Sequence, residues 1–114
     1  MNEEIFPEPI RNLPQADIPI DGITAFLSQS SDHQIIFMQF SQNAELSEHT
    51  HAAQWGIVLE GQITMTIGGE TRTYGRGRAI FHSRGVPHSG FIHGGYADIT
   101  FFDQANRYGE KGRL

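Results

Sequence analysis

Cysteine is absent from this chain of 114 residues. Disulfides, thiolate nucleophiles and zinc-thiolate sites are therefore excluded, and the redox state of the compartment cannot be read from thiols. If the chain binds a metal ion through its side chains, the ligands must come from His, Asp, Glu or Gln.

Long apolar runs and clusters of basic residues are absent as well. No segment approaches the roughly 18 apolar residues of a membrane span, and the first residues, MNEEIFPEPIR, contain no apolar signal segment. The 8 Lys and Arg residues are outnumbered by 13 Asp and Glu, the net charge is −5, and the basic residues are not concentrated in one place. We therefore expect a cytoplasmic protein whose partners include neither nucleic acid nor a membrane.

A helical repeat is the third missing feature. No window of roughly 11 or more residues places apolar side chains at the helical period, whereas 13 glycines supply turns at short intervals. The length suits one domain over residues 1–114. We expect a nearly all-β structure, either a barrel or a sandwich.

Proline is unevenly distributed. Four of the five prolines lie in residues 1–22, and they are Pro7, Pro9, Pro14 and Pro19. Because proline fixes φ and cannot donate a ladder hydrogen bond, this segment is predicted to be an extended arm with at most one short edge strand. Such an arm can cross to a partner and cover an open sheet edge, which favours a homodimer. The polar residues 106–114 are expected to fray or to lie along a neighbouring surface.

Alternating apolar residues predict the strands. Residues 23–27 and 33–40 flank a polar turn and suggest a hairpin. In QITMTIGGETRTY, residues 62–74, two adjacent glycines can take the positive φ of a tight hairpin turn. Residues 97–102 predict a late strand with one buried face. The apolar candidates for the barrel interior are Met38, Phe40, Trp55, Phe91, Ile99 and Phe101.

Two of the six histidines are spaced so that they can share a metal ion. On a strand, residues two apart point to the same face, so His49 and His51 can present two imidazoles to one point. The alternative is an exposed strand face that carries two histidines by chance. Two further residues favour a site: Gln54 follows the pair, and His88 comes directly after the rigid stretch Gly-Val-Pro, on a strand that a barrel can bring back beside the first.

These residues together resemble the two sequence motifs of the cupin superfamily. The first motif contains a His-x-His pair and ends in a glycine, and it maps onto Asn43, His49, His51, Gln54 and Gly61. The second motif leads through a tight turn to a histidine, and it maps onto Gly77, Ser83, Gly85 and His88. The resemblance covers residues 30–103.

The resemblance implies a small cupin of the RmlC-like type, a single domain folded as a double-stranded β-helix, or jelly-roll barrel. It further implies that His49, His51 and His88 bind one divalent metal ion, with Gln54 in place of the usual carboxylate. Imidazole suits Zn, Ni, Mn, Fe and Cu, and the sequence does not choose among them. In the alternative interpretation, Gln54 is a hydrogen-bonded amide beside the ligands.

The chain departs from the motifs at three other positions. Asn43 replaces a glycine, a change that is tolerable because Asn adopts positive φ more readily than most residues. Ser83 replaces a proline and Ile92 replaces an asparagine. These changes are expected to affect the loop more than the metal-binding residues.

Three further residues are candidates for a catalytic role. His82 precedes the second motif and can act as an acid or base at the mouth of the pocket, although a surface loop position is equally consistent with its place in the sequence. Tyr74 can carry a proton, and Arg84 can bind a substrate carboxylate, unless it is a rim residue in water. His33 and His93 are expected to be solvated.

The leading function is that of an enzyme whose metal ion acts as a Lewis acid on a small oxygen-rich substrate such as a sugar acid. Isomerisation, ring opening and tautomerisation are the reactions that this chemistry suggests. The alternatives are a metal-dependent dioxygenase on the same scaffold and a cupin that binds a small molecule without catalysis.

Overall fold

A computed structural model describes residues 4–112 of the protein. These residues form one short helix and nine strands: α1 (Glu8–Arg11), β1 (Ile23–Gln29), β2 (Gln34–Phe40), β3 (Ala44–His49), β4 (Gln54–Glu60), β5 (Gln62–Ile67), β6 (Glu70–Gly75), β7 (Ala79–His82), β8 (His88–Ile92) and β9 (Ala97–Phe102). Within the described part of the chain, no helix has the length and apolar character needed to cross a membrane.

The strands form two antiparallel sheets that enclose one core. The five-stranded sheet has the order β1-β2-β9-β4-β7, and the four-stranded sheet has the order β3-β8-β5-β6. Buried residues from both sheets, such as Ile36 and Met38 on one and Ile63 and Met65 on the other, belong to the same cluster. The expected all-β jelly-roll barrel is confirmed.

Both predicted hairpins are present. Strands β1 and β2 pair from Ile23 opposite Phe40 to Gln29 opposite Gln34. Strands β5 and β6 pair from Gln62 opposite Gly75 to Ile67 opposite Glu70. The turn between β5 and β6 contains Gly68 and Gly69 at φ values of 57° and 85°, which is the left-handed region that a tight hairpin turn requires.

The N-terminal arm differs from its prediction, and its first three residues lie outside the described part of the chain. Pro7 caps a helical turn, α1, because proline is tolerated at the start of a helix, where its missing N–H would have no intrahelical partner. Further along, the carbonyl of Pro14 accepts a hydrogen bond from the N–H of Leu27 at 2.8 Å. The Phe6 ring packs edge-on against the rings of Phe26 and Phe37, with centroids 6.3 and 5.7 Å away. The arm therefore covers the edge of its own sheet.

The last strand is buried on the face opposite to the one predicted. Asp98, Thr100 and Phe102 are buried, whereas Ile99 and Phe101 are half-buried on the outer face of the sheet. Of the other candidates for the interior, Met38 and Phe40 are buried as predicted, but Trp55 and Phe91 are 44% and 38% exposed. The error arises because β9 is apolar on both faces in its second half, so its sequence alone does not fix which face points inward.

Asp98 is tolerated inside the barrel because its neighbours supply hydrogen bonds. The hydroxyl of Tyr96 donates to Oδ2 at 2.6 Å, and the hydroxyl of Thr100 donates to Oδ1 at 3.1 Å. Burial removes water from the carboxylate and raises the pKa of Asp98 to about 6, although the two hydrogen bonds act in the opposite direction.

Gly61 lies in the tight turn between β4 and β5. Its φ is 71°, and a Cβ at this position would lie 2.9 Å from both the carbonyl oxygen of Gly95 and the Cα of Tyr96. Gly77 also has a positive φ, 86°, but no heavy atom lies within 4 Å of the Cβ position there. The two glycines therefore share a backbone requirement and differ in their surroundings.

We expect Gly61→Ala to lower the free energy of unfolding more than Gly77→Ala does. Both variants lose about 1–2 kcal/mol through the left-handed backbone, and Gly61→Ala loses about 1–3 kcal/mol more because the neighbouring backbone must move. Urea unfolding of both variants at one temperature measures the difference. Equal losses would contradict the close approach of residues 95 and 96 to this turn.

We also expect the stability of the protein to carry a pH dependence that Asp98→Asn removes. The pKa of Asp98 rises from 3.8 to about 6 on folding, so the folded state holds the proton more tightly, and this group reduces stability as the pH rises through that window. The effect is on the order of 2–3 kcal/mol. Urea unfolding between pH 4 and 7 should therefore show Asp98→Asn gaining stability relative to the wild type as the pH rises, beyond any constant cost of the altered hydrogen bonds. The exposed Asp103→Asn is the control, and parallel profiles for Asp98→Asn and the wild type would exclude the buried carboxyl as the cause.

Candidate metal centre

Three histidines from two motifs meet at one end of the barrel. His49 ends β3 and lies opposite His88, the first residue of β8. His51 lies two residues beyond the end of β3, so it reaches the others from a loop and not from a continuous strand face. The ring centroids of His49 and His51 are 5.2 Å from each other and 4.1 and 4.7 Å from that of His88. One ring nitrogen of each histidine lies within 4.8 Å of those of the other two.

The three rings have the same tautomer because each is bonded to a backbone carbonyl through Nδ1. The acceptors are the carbonyl oxygens of Ser47 for His49 at 2.7 Å, Ala52 for His51 at 2.8 Å and Val86 for His88 at 3.0 Å. A carbonyl oxygen can only accept, so Nδ1 carries the proton in each ring. In a neutral imidazole this leaves a lone pair on Nε2, the atom that can bind a metal ion.

The spacing of the free nitrogens of His51 and His88 fits one ion. Nε2 of His51 lies 3.1 Å from Nε2 of His88. With both rings neutral and both protons on Nδ1, neither Nε2 can donate to the other. Two imidazole nitrogens bound at about 2.1 Å to one ion and at right angles to each other are separated by about 3.0 Å. The donor set and its geometry are therefore suited to a divalent metal ion.

Burial keeps two of these rings in the form that binds metal. Removal from water lowers the pKa of His51 to about 4 and that of His88 to about 4, from an ordinary value of 6.5. For His51, the positive charge of Arg107 acts in the same direction. Both rings are therefore neutral at pH 7, with no proton to displace before a metal ion binds.

Gln54 and His82 form a pair beside the three histidines. Gln54 begins β4 and lines the cavity described below, and its Oε1 accepts a hydrogen bond from Nε2 of His82 at 3.1 Å. His82 is only 2% exposed, and its ring stacks on that of His88 with the centroids 3.8 Å apart. Burial lowers the pKa of His82 as well. His82 therefore lies behind His88 and not at the mouth of the pocket, and the place of Gln54 in the ligand set stays a prediction.

Neither of the other two catalytic candidates lies at the cavity wall. Tyr74 on β6 is opposite Ile63, at the end of the sheet where β5 pairs with Ile92 and not with His88. Arg84 is exposed in the loop between β7 and β8. His33 and His93 are partly exposed and also lie outside the cavity. Asn43 does not use a positive φ. Its side-chain oxygen instead accepts a hydrogen bond from the N–H of Gly94 at 2.8 Å.

The histidines open into a cavity of about 540 Å³ inside the barrel. His49, His51, Gln54 and His88 lie at one end of it, where the His51 ring is 5.6 Å from the ring of Phe102. Asp98 also lines the cavity, four residues earlier on β9, and is therefore about 13 Å away along the strand. Apolar side chains cover much of the wall between these ends, among them Met38, Phe40, Ile63 and Met65. The volume is that of a typical small-molecule site.

Four charged residues that line the cavity are not among the sequence predictions, and they are Glu45, Glu48, Asp98 and Arg107. The sequence does not indicate Asp98 because its alternation predicts that Ile99 and Phe101, and not Asp98, face the interior. Arg107 lines the cavity from the segment after β9, for which the sequence predicts fraying or a position along a surface. No local pattern in NRYGEKGRL indicates an inward arginine.

Comparisons with known proteins agree with this architecture. The Cupin_2 family model, described as Cupin domain, matches residues 36–101. Among solved structures, an RmlC-like cupin from Shewanella frigidimarina NCIMB 400 has a TM-score of 0.75 at 20% identity, covering 92% of this chain and 95% of its own. KdgF from Halomonas sp. has a TM-score of 0.67 at 19% identity, covering 80% of this chain and 87% of its own.

A further similar structure is a variant of oxalate decarboxylase from Bacillus subtilis, with a TM-score of 0.70 at 20% identity. It matches over 84% of this chain but only 28% of its own. A search of curated proteins finds no significant match. At these identities the structural likenesses show the fold. The family model spans more than half of the chain, and the protein therefore belongs to the cupin family.

Proposed function

We propose that this cupin is an enzyme that binds one divalent metal ion through His49, His51 and His88 and acts on a small oxygen-rich substrate such as a sugar acid. The observation that carries the proposal is the convergence of three imidazoles, each with its proton held on Nδ1 and each with one ring nitrogen within 4.8 Å of those of the other two, at the end of a cavity. When bound, the ion supplies Lewis acidity, which polarises a carbonyl and stabilises an enolate.

Backbone carbonyls hold the three imidazoles of this site in fixed orientations. The carbonyls of Ser47, Ala52 and Val86 fix the three rings while one nitrogen of each lies within 4.8 Å of the other two, which supports metal binding with little rearrangement. Three imidazoles carry no negative charge, and Gln54 as a fourth ligand would add none. A substrate oxygen near the ion would therefore be attracted by nearly its full positive charge. Apolar side chains cover much of the wall, and the lower polarity around the ion would strengthen this interaction.

The substrate class is supported by the polar groups at the histidine end of the cavity. Oxygen-rich molecules can use the imidazoles and the amide of Gln54 there, whereas the carboxyl of Asp98 lies about 13 Å further along β9. One structural relative is named oxalate decarboxylase, and oxalate is a small molecule rich in oxygen. That likeness in fold supports the class and does not identify a substrate. In this proposal residues 1–114 are one cupin domain, with residues 30–103 as its barrel core.

Two other functions use the same scaffold. Three imidazoles also suit redox-active iron, so a dioxygenase is the second candidate. A cupin that binds a small molecule without catalysis is the third.

Metal content tests the proposed ligands. Protein purified without added metal should contain about one divalent ion per chain, and His49→Ala and His88→Ala should contain none, as measured by elemental analysis. Gln54→Ala should retain metal with weaker affinity, because an amide contributes less than an imidazole. His33→Ala and His93→Ala are matched controls outside the cavity and should retain metal fully. Circular dichroism should show that all variants keep the β fold.

Equal metal retention in all five variants would contradict the assignment of the ligands. The identity of the metal then separates the functions. Zinc, nickel or manganese without oxygen uptake supports Lewis-acid chemistry, whereas iron with substrate-dependent oxygen consumption supports the dioxygenase. A protein that binds no metal under any condition would be a binding module.

We also propose a homodimer, on the basis of the outer face of the five-stranded sheet. Trp55 on β4 lies opposite Phe81 on β7, and the two side chains are 44% and 59% exposed. Adjacent exposed aromatics of this kind are typical of an interaction surface. Light scattering after size exclusion should give twice the mass of one chain, and Phe81→Ser should shift the protein towards the monomer. A wild-type monomer at working concentration would exclude the dimer.

A further inference from the structure

Arg107 is a half-buried cation at the cavity, and no carboxylate of the described residues forms an ion pair with it. It lines the same cavity as the three histidines. Its Nε is buried and has no hydrogen-bond partner among residues 4–112. Leaving a charged donor both buried and unpaired is costly, and a native protein keeps such a group where something else supplies the partner.

The acidic residues around the cavity do not fill this role. Glu45 and Glu48 line its rim on β3, and both are exposed to solvent. Asp98 is engaged by the hydroxyls of Tyr96 and Thr100. The positive charge of Arg107 is therefore available to a molecule inside the cavity.

The position of Arg107 is fixed by its neighbour. The guanidinium carbon lies 4.5 Å from the centroid of the Tyr108 ring, which also packs against the Phe102 ring at 5.7 Å. The backbone of Tyr108 is held on both sides by the buried amide of Gln34, which accepts from its N–H at 3.1 Å and donates to its carbonyl at 2.8 Å. Stacking on an aromatic ring leaves the edge of a guanidinium free for hydrogen bonds. The donor is thus held in place before a ligand binds.

From this geometry we propose that Arg107 binds a carboxylate of the ligand that occupies the cavity, an assignment that rests on the proposed function because the same ligand faces the three histidines. A guanidinium presents parallel N–H groups that match the two oxygens of a carboxylate. The ligand is then a small organic acid with one carboxylate on Arg107 and a second oxygen function towards the Nε2 atoms. A neutral analogue would leave the guanidinium unpaired, so Arg107 determines specificity for acids.

A direct test observes the donor itself. In protein labelled with ¹⁵N, the Nε–H signal of Arg107 is the side-chain signal that is lost in Arg107→Lys. The probes are acetate, oxalate, D-galacturonate, D-galactose and inorganic phosphate. D-galacturonate and D-galactose differ only in a carboxylate against a hydroxymethyl group. We expect at least one of the carboxylates to move this signal saturably, and D-galactose and phosphate to leave it in place. A signal that no carboxylate moves, or that D-galactose or phosphate moves equally, would overturn the assignment.

Variants then separate Arg107 from the other arginines. The dissociation constant of the tightest carboxylate should rise at least about tenfold in Arg107→Met, less in Arg107→Lys, and not at all in Arg78→Met, which removes an exposed turn arginine. A loss in Arg84→Met instead of Arg107→Met would overturn the assignment in favour of the loop arginine. Unfolding midpoints of all variants exclude a loss of fold as the cause.

Metal content distinguishes this inference from the proposed function. Arg107→Met should bind metal as the wild type does, because none of the Nδ1 bonds of the three histidines involves it. If the carboxylate probes move the Arg107 signal in a protein that binds no metal, the acid-binding site stands and the proposed enzyme fails. If metal binds normally and no carboxylate moves the signal, the proposed metal centre stands and the assignment of Arg107 to the carboxylate fails.

Discussion

The site depends on one kind of interaction, the hydrogen bond from Nδ1 of a histidine to a backbone carbonyl. It is made three times, by His49, His51 and His88, and each time it places the free lone pair on Nε2. Without these bonds, each ring could rotate or exchange its proton between nitrogens, and the rings would not share a point. The carbonyls belong to residues within two positions of each histidine, so the local backbone at this end of the barrel fixes the ligand geometry.

The cavity combines this rigid end with a different chemical environment further inside. Close to the histidines, Arg107 supplies a positive charge, and about 13 Å along β9 Asp98 supplies a carboxyl group whose pKa is raised by burial. Between these ends the wall is largely apolar. Such a cavity is suited to a small molecule with polar groups at defined positions and disfavours one that is uniformly polar or uniformly apolar.

Much of this could be predicted from the sequence because it is encoded locally. The hairpin at Gly68 and Gly69 follows from alternation and turn residues, and the three histidines follow from motif spacing. The inward face of β9 could not be predicted in this way, because apolar residues occupy both faces and its neighbours β2 and β4 decide the outcome. The position of Arg107 could not be predicted from its sequence neighbours for a similar reason. The adjacent Tyr108 is held by Gln34, which lies 74 residues earlier in the chain.

The two ends of the chain are joined beside the cavity. The N–H of Asp17 donates to the carbonyl of Gly109 at 2.8 Å, and the N–H of Lys111 donates to the carbonyl of Gln15 at 2.7 Å. The arm is thus hydrogen-bonded to the segment that contains Arg107. The three histidines belong to β3, β8 and the loop after β3. Removal of residues at either terminus, or a fusion that breaks these hydrogen bonds, would release the segment that contains Arg107. The three histidines would keep their positions. If Arg107 binds the acid group of a ligand as proposed, a truncated or tagged protein can lose selectivity among ligands while its barrel remains folded.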